Sequence, residues 1–252
     1  MGTLLNRRRY MGGVNGGKIK DYLAFTAVES GTFKYTKACE YSLDGTTWVA
    51  LAANTDTPSL AVGDTIMWRG TVSPCGTFSS TGVFDVSGNI TSIKSGENFE
   101  NDLTLDSSQY VNFFKSSKVR DASALVLPAT TLVYRCYNSM FDSCTSLIAA
   151  PVLPATTLGT QCYSSMFMKC SNLVTAPDLL VTTAGDLSCY YGMFSQCTKL
   201  TYIKCLLETP GSNTTAWTYL INTEGTFVKN PNATWATGNN GVPSKWTIID
   251  NE

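Results

Sequence analysis

The chain has 252 residues, 43% of them hydrophobic and 15% charged, with 18 basic and 19 acidic side chains and no histidine. Without an imidazole there is no Ser-His-Asp or Cys-His catalysis, and the commonest metal ligand is missing. No apolar run approaches the ~18 residues that a bilayer span requires, and a net charge of −1 does not suit a surface that tracks phosphates.

Residues 1–20 read as a flexible basic arm. Arg7, Arg8, Arg9, Lys18 and Lys20 lie among Gly12, Gly13, Gly16 and Gly17. This glycine-rich stretch stands where an export leader needs its apolar region, so secretion is not indicated. The arm is expected to anchor the chain, through Arg7, Arg8 and Arg9, against a protein partner. Beyond it thirteen basic residues face nineteen acidic ones.

Residues 21–87 change character. Short Thr- and aromatic-rich runs at 22–29, 31–38, 39–44, 47–52, 65–72 and 82–88 alternate in polarity and are separated by turn residues. They predict an all-β sandwich-like domain, with Asp44-Gly45 as a hairpin turn and Trp48 and Trp68 in its core. Residues 88–126 form the junction, with a first short strand expected at Asn89–Ile93. Tyr110, Phe113 and Phe114 foreshadow a pattern that then repeats.

That pattern fills residues 127–200. LPATTLVYRCYNSMFDSCTSL (127–147) returns as LPATTLGTQCYSSMFMKCSNL (153–173), 26 residues on, and a third copy, CYYGMFSQCTKL, occupies 189–200. Self-similarity at a fixed period marks an array of stacked units. In the first unit Tyr137, Met140, Phe141 and Cys144 are spaced i, i+3, i+4, i+7, one face of a short helix. A short strand follows, entered at Leu147. The counterparts are Tyr163, Met166, Phe167, Cys170 and Leu173, then Tyr190, Met193, Phe194, Cys197 and Leu200. These fifteen residues are the expected ladder, each stacked on its equivalent in the next unit.

Residues 201–252 are expected to close the array, with GTF (225–227) echoing GMF (192–194). Trp217, Tyr219 and Trp235 lie there among Asn, Thr and Gly, a mixture that suits a sugar or protein contact; a plain structural cap is the alternative. Six of the nine cysteines recur with the repeat. Their spacing matches no zinc knuckle, and the total is odd, which favours free buried thiols in a reducing compartment.

The Phe-x-x-Cys-x-x-Leu pattern at Phe141/Cys144/Leu147, Phe167/Cys170/Leu173 and Phe194/Cys197/Leu200 resembles the leucine-rich repeats of BspA-like bacterial surface proteins. The longer form, LPATTL followed by CYxSMF, is similar to proteins of gut Bacteroidetes and their phages. The resemblance covers roughly residues 88–250. With the runs before it, it implies an N-terminal all-β sandwich-like domain (21–87) followed by an α/β leucine-rich-repeat solenoid with a C-terminal cap (88–252).

No phosphate-binding glycine motif follows a strand, and no carboxylate pair stands out, so neither a cofactor nor a metal is expected and the chain reads as a non-enzyme. The expected function is recognition or adhesion. One form is a phage virion component, a tail or head-fibre protein assembled in the host cytoplasm, homo-oligomeric if a fibre, and contacting a Bacteroidetes surface. The alternatives are a bacterial cell-surface adhesin binding a host protein or glycan, and a purely structural virion protein. No nucleic-acid partner and no membrane span are expected.

Overall fold

The computed structural model describes residues 20–185 and 187–252. The basic arm with Arg7, Arg8 and Arg9 therefore lies outside the described residues, apart from Lys20.

Seven strands form from the alternating N-terminal runs: β1 (Leu23–Ala27), β2 (Phe33–Tyr35), β3 (Cys39–Ser42), β4 (Val49–Leu51), β5 (Thr65–Arg69), β6 (Phe78–Ser80) and β7 (Phe84–Asn89). In β5 and β7 burial alternates with period two, as a strand with one wet face requires. An eighth, β8 (Val119–Val126), comes from the repeat region. It pairs in parallel with β7, and the sheet runs β4-β3-β5-β1-β7-β8. Against this six-stranded sheet lie the two-stranded β2–β6 ribbon and the first rung of the repeats. Strands thus form throughout the 21–87 region expected to be sandwich-like. Its main sheet is completed by a strand of the repeats, and the two parts share one core.

Phe25 shows the sharing. Its ring lies 5.3 Å from Phe33, 5.4 Å from Trp68, 4.9 Å from Phe78 and Phe84, and 5.7 Å from Phe114, the last belonging to the first repeat. Gly88 in β7 has φ +76, and a Cβ there would collide with the Tyr22 carbonyl, so this close strand approach requires glycine. After β7 the chain turns into a single α-helical turn (Ser92–Ser95) and a 3-10 segment (Gly96–Asn101), not the strand expected at Asn89–Ile93.

The α/β leucine-rich-repeat solenoid is overturned. The four residues Ser92–Ser95 are the only α-helical ones among those described, and none lies in the repeats, which consist of turns and extended segments. Hydrogen bonding explains why. The amides of Cys136, Asn138, Met140, Asp142 and Cys144 donate three residues back, to Val133, Arg135, Tyr137, Ser139 and Phe141. The amides between them leave the segment: Arg135, Tyr137, Ser139, Phe141 and Ser143 donate to the carbonyls of Thr160, Cys162, Ser164, Met166 and Met168 in the next unit. A helix keeps every such donor inside one segment; here alternate donors join neighbours. Every fourth residue is left-handed: Arg135, Ser139 and Ser143 have φ of 53, 54 and 62.

Five such rungs stack, at 108–117, 134–144, 160–170, 187–197 and 211–221. The fifth corrects the expected echo at 225–227. Phe194 donates to the Trp217 carbonyl, and Ala216 and Leu220 carry the left-handed conformation, whereas Gly225–Lys229 is a strand. That strand, β10, lies between β9 (Tyr202–Cys205) and β11 (Trp246–Asp250) in a parallel three-stranded sheet on the far side of the core.

All fifteen ladder residues are buried. Tyr110, Tyr137, Tyr163 and Tyr190 stack ring on ring at 5.7, 5.9 and 6.2 Å, and Phe114, Phe141, Phe167 and Phe194 at 5.3, 5.5 and 5.9 Å. The thiols of Cys144, Cys170 and Cys197 occupy one column. Each donates to a phenylalanine carbonyl one rung back, Phe114, Phe141 and Phe167, at 2.9, 3.1 and 3.0 Å. The first rung has Ser117 in that column. Cys136, Cys162 and Cys189 form a second column, with the buried amides Gln109 and Asn213 in the equivalent places at its ends.

Candidate recognition face

The three residues singled out in the C-terminal region do not form one surface. Trp217 is 0% exposed, its Nε1 donates to the Gly241 carbonyl at 2.8 Å, and its ring stacks on Trp235 at 5.3 Å. Trp235 is also buried, at 4.8 Å from Phe227. Both tryptophans therefore close the core and offer no face to a ligand. This corrects the expectation for Trp217 and Trp235. Tyr219 alone of the three is exposed, at 42%.

Two grooves stand out among the described residues. One, of about 720 Å³, runs past Ser87, Gly88, Leu125, Val126, Pro128, Val152 and Pro154 and holds one acidic residue, Asp21. The other lies around Glu40, Arg69, Gly70, Gly96 and Glu97. Arg69 bridges both carboxylates there, with its Nε 2.7 Å from Glu40, and its guanidinium covers the half-buried Trp48 ring at 4.2 Å. Hydrogen bonding from Tyr22, with Lys20 and Arg69 nearby, holds the Glu97 carboxyl below its ordinary range. Two carboxylates tied to one arginine are not poised as an acid and a base.

The cysteines offer no nucleophile. All nine are free and buried, and burial pushes the Cys75 thiol, for example, up to about 12. Among the described residues no cluster of three or more His, Cys, Asp or Glu could hold a metal, and no helix is long and apolar enough to cross a membrane.

The remaining broad surface is the outer side of the rungs. Left-handed residues line it, all half-buried or exposed except the buried Gly192: Ser108, Asn112 and Ser116; Arg135, Ser139 and Ser143; Gln161, Ser165 and Lys169; Ser188, Gly192 and Gln196. Between them stand exposed tyrosines, Tyr134 at 47%, Tyr191 at 46% and Tyr219 at 42%, with Leu220 beside the last. Inter-rung hydrogen bonds fix these positions relative to one another, since Ser165 donates to the Tyr191 carbonyl and Gln196 to that of Tyr219. The face thus combines rigid amphipathic rings with short hydroxyl and amide groups, the composition of adaptable binding surfaces.

Of these residues only Tyr219 was singled out from the sequence. The left-handed positions among the others share one sequence signal: they recur every fourth residue without a Val, Ile or Thr among them, a signal that Tyr134 and Tyr191 do not carry.

Fold and face together define a repeat protein built of strands and turns, with a flat polar-aromatic side. Comparison of the chain with family models, with curated proteins and with solved structures finds no match.

Proposed function

We propose that the chain is a non-enzymatic recognition module, a virion protein that contacts a Bacteroidetes surface through the outer face of its rungs. The observation that carries this reading is the placement of Tyr134, Tyr191 and Tyr219, all exposed, on a backbone whose neighbouring rungs are bonded at every second amide. Aromatic side chains held on a rigid frame bind at a small cost in conformational entropy. Nine free thiols fit a protein assembled in a reducing cytoplasm. The repeat motif's likeness to phage-borne proteins supports the virion reading, and the basic segment at Arg7, Arg8 and Arg9 is proposed to anchor the chain to a partner within the particle.

Adhesion of the purified protein to a panel of intact Bacteroidetes strains, read by flow cytometry, tests this. The Tyr191→Ala/Tyr219→Ala variant, unchanged in thermal stability, is expected to lose most of its binding. Undiminished adhesion by that variant rules out the face, and failure to bind any strain rules out adhesion. Binding lost only when residues 1–19 are trimmed assigns the contact to the arm instead.

A further inference from the structure

The outer face holds three cations, Lys115, Arg135 and Lys169, and a single carboxylate among the described residues, Asp142. Asp142 is buried and lies 2.8 Å from Lys115 Nζ, so that pair is closed. Arg135 and Lys169 have no salt bridge among the described residues. The Arg135 Nε is buried without a hydrogen-bond partner, and its guanidinium carbon sits 5.9 Å from the Tyr134 ring.

Rung register places the two cations on one strip. Arg135 donates its amide to Thr160 and so lies beside Gln161, while Ser143 donates to Met168 and lies beside Lys169. Arg135 and Lys169 therefore occupy opposite corners of a patch on two adjacent rungs, with Ser139, Ser143, Gln161 and Ser165 between them. Tyr191 borders it on the next rung.

We propose that this strip binds an anionic glycan, a sugar chain bearing carboxylates or sulfates; the proposal rests on reading the face as a recognition surface. Two cations without a carboxylate partner among the described residues, Arg135 held only by the Asn138 side-chain oxygen at 3.5 Å, meet the charges, and the Ser and Gln groups between them match sugar hydroxyls in rows one rung apart. The tyrosine rings offer flat apolar surface to the sugar rings. An acidic protein would instead seek deep pockets for its anchoring side chains, and the two grooves described above lie elsewhere. Two cations are few for a nucleic acid, whose affinity comes from neutralising many phosphates.

Binding of the full chain to immobilised polygalacturonate, dextran sulfate, neutral dextran and polyaspartate tests the proposal. At least one of the two anionic glycans is expected to bind, with dextran and polyaspartate inert, and 0.5 M salt is expected to weaken binding about tenfold. Arg135→Ser/Lys169→Ser is expected to reduce affinity by tenfold or more. Both substitutions are compatible with the fold, since Ser188 and Ser143 occupy the corresponding columns. Equal binding to dextran overturns the role of charge, equal binding to polyaspartate overturns the glycan, and an unaffected double variant overturns the strip. Failure of both anionic glycans overturns the proposal while leaving the wider reading to the cell-adhesion experiment, where Tyr191→Ala/Tyr219→Ala is the separate probe.

Discussion

At the scale of single residues, the tyrosine stack shows what the ladder optimises. Tyr110, Tyr137 and Tyr163 are fully buried, and none of their hydroxyls has a hydrogen-bond partner. Burial above all, with the neighbouring thiols and phenols adding to it, drives all three well above the ordinary phenol range. An orphaned buried hydroxyl costs about 1–3 kcal/mol, so what these positions use is the ring. Tyr163→Phe is accordingly expected to leave stability unchanged or raise it by about 1 kcal/mol in urea denaturation. Tyr163→Ala, which opens a hole between Tyr137 and Tyr190, is expected to cost about 3–5 kcal/mol. A loss above ~1 kcal/mol for Tyr163→Phe means that the hydroxyl is bonded after all. The thiols of Cys144, Cys170 and Cys197 differ, because their S–H groups are used. Cys170 donates to a Phe141 carbonyl that also accepts the Cys144 amide, filling its second lone pair.

At the scale of the element, the repeat period and the ladder columns were legible in the sequence, and the local conformation was not. Tyr137, Met140, Phe141 and Cys144 mark one side of a helix turning about 100° per residue, but they equally mark one side of a ribbon of four-residue turns. Over eight residues the two rotations drift apart by only about 70°, too little to separate them. The discriminating signal was the side chains that stack poorly into a helix and tolerate positive φ. Ser139, Ser165 and Gly192 share one column, and a Cβ on Gly192 would come within 3.3 Å of Ser165 Oγ. The fifth rung escaped notice because it carries Trp217 in the methionine column and Asn213 in the cysteine column. Most of the face was illegible for the same reason, since its tyrosines occupy different columns in different rungs. This geometry predicts opposite outcomes at position 165. Ser165→Gly is expected to be neutral or to stabilise by up to ~1 kcal/mol, because a left-handed non-glycine residue costs about 1–2 kcal/mol. Ser165→Val, branched at the strained centre, is expected to destabilise by at least ~1–2 kcal/mol. A helical rung would give the reverse order, so a paired denaturation measurement decides between them.

At the scale of the whole molecule, nine buried thiols tie stability to pH. Burial raises every one of them above the ordinary value of 9.0; Cys39, Cys75, Cys136, Cys144, Cys189, Cys197 and Cys205 reach about 12, and Cys162 and Cys170 are likewise raised. The folded state therefore keeps protons that the unfolded chain gives up near pH 9. A raised folded pKa means that the stabilisation is complete below the unfolded value and is lost as pH climbs towards the folded one. One pH unit above the unfolded pKa, each thiol has forfeited about 1.4 kcal/mol. Nine such losses are of the order of the ~5–15 kcal/mol that holds a domain together. The chain is thus expected to unfold cooperatively in alkali, with a midpoint between about pH 9 and 10.5 under reductant, followed by near-ultraviolet circular dichroism. The Cys144→Ser/Cys170→Ser/Cys197→Ser variant keeps a hydroxyl donor for the carbonyls of Phe114, Phe141 and Phe167, in a column where the first rung already has Ser117, but removes three titrating groups. Its midpoint is expected to move upward relative to its own neutral-pH stability. A parent protein intact at pH 11 would show that the thiolates are accommodated inside the stack and that the columns do not exclude charge.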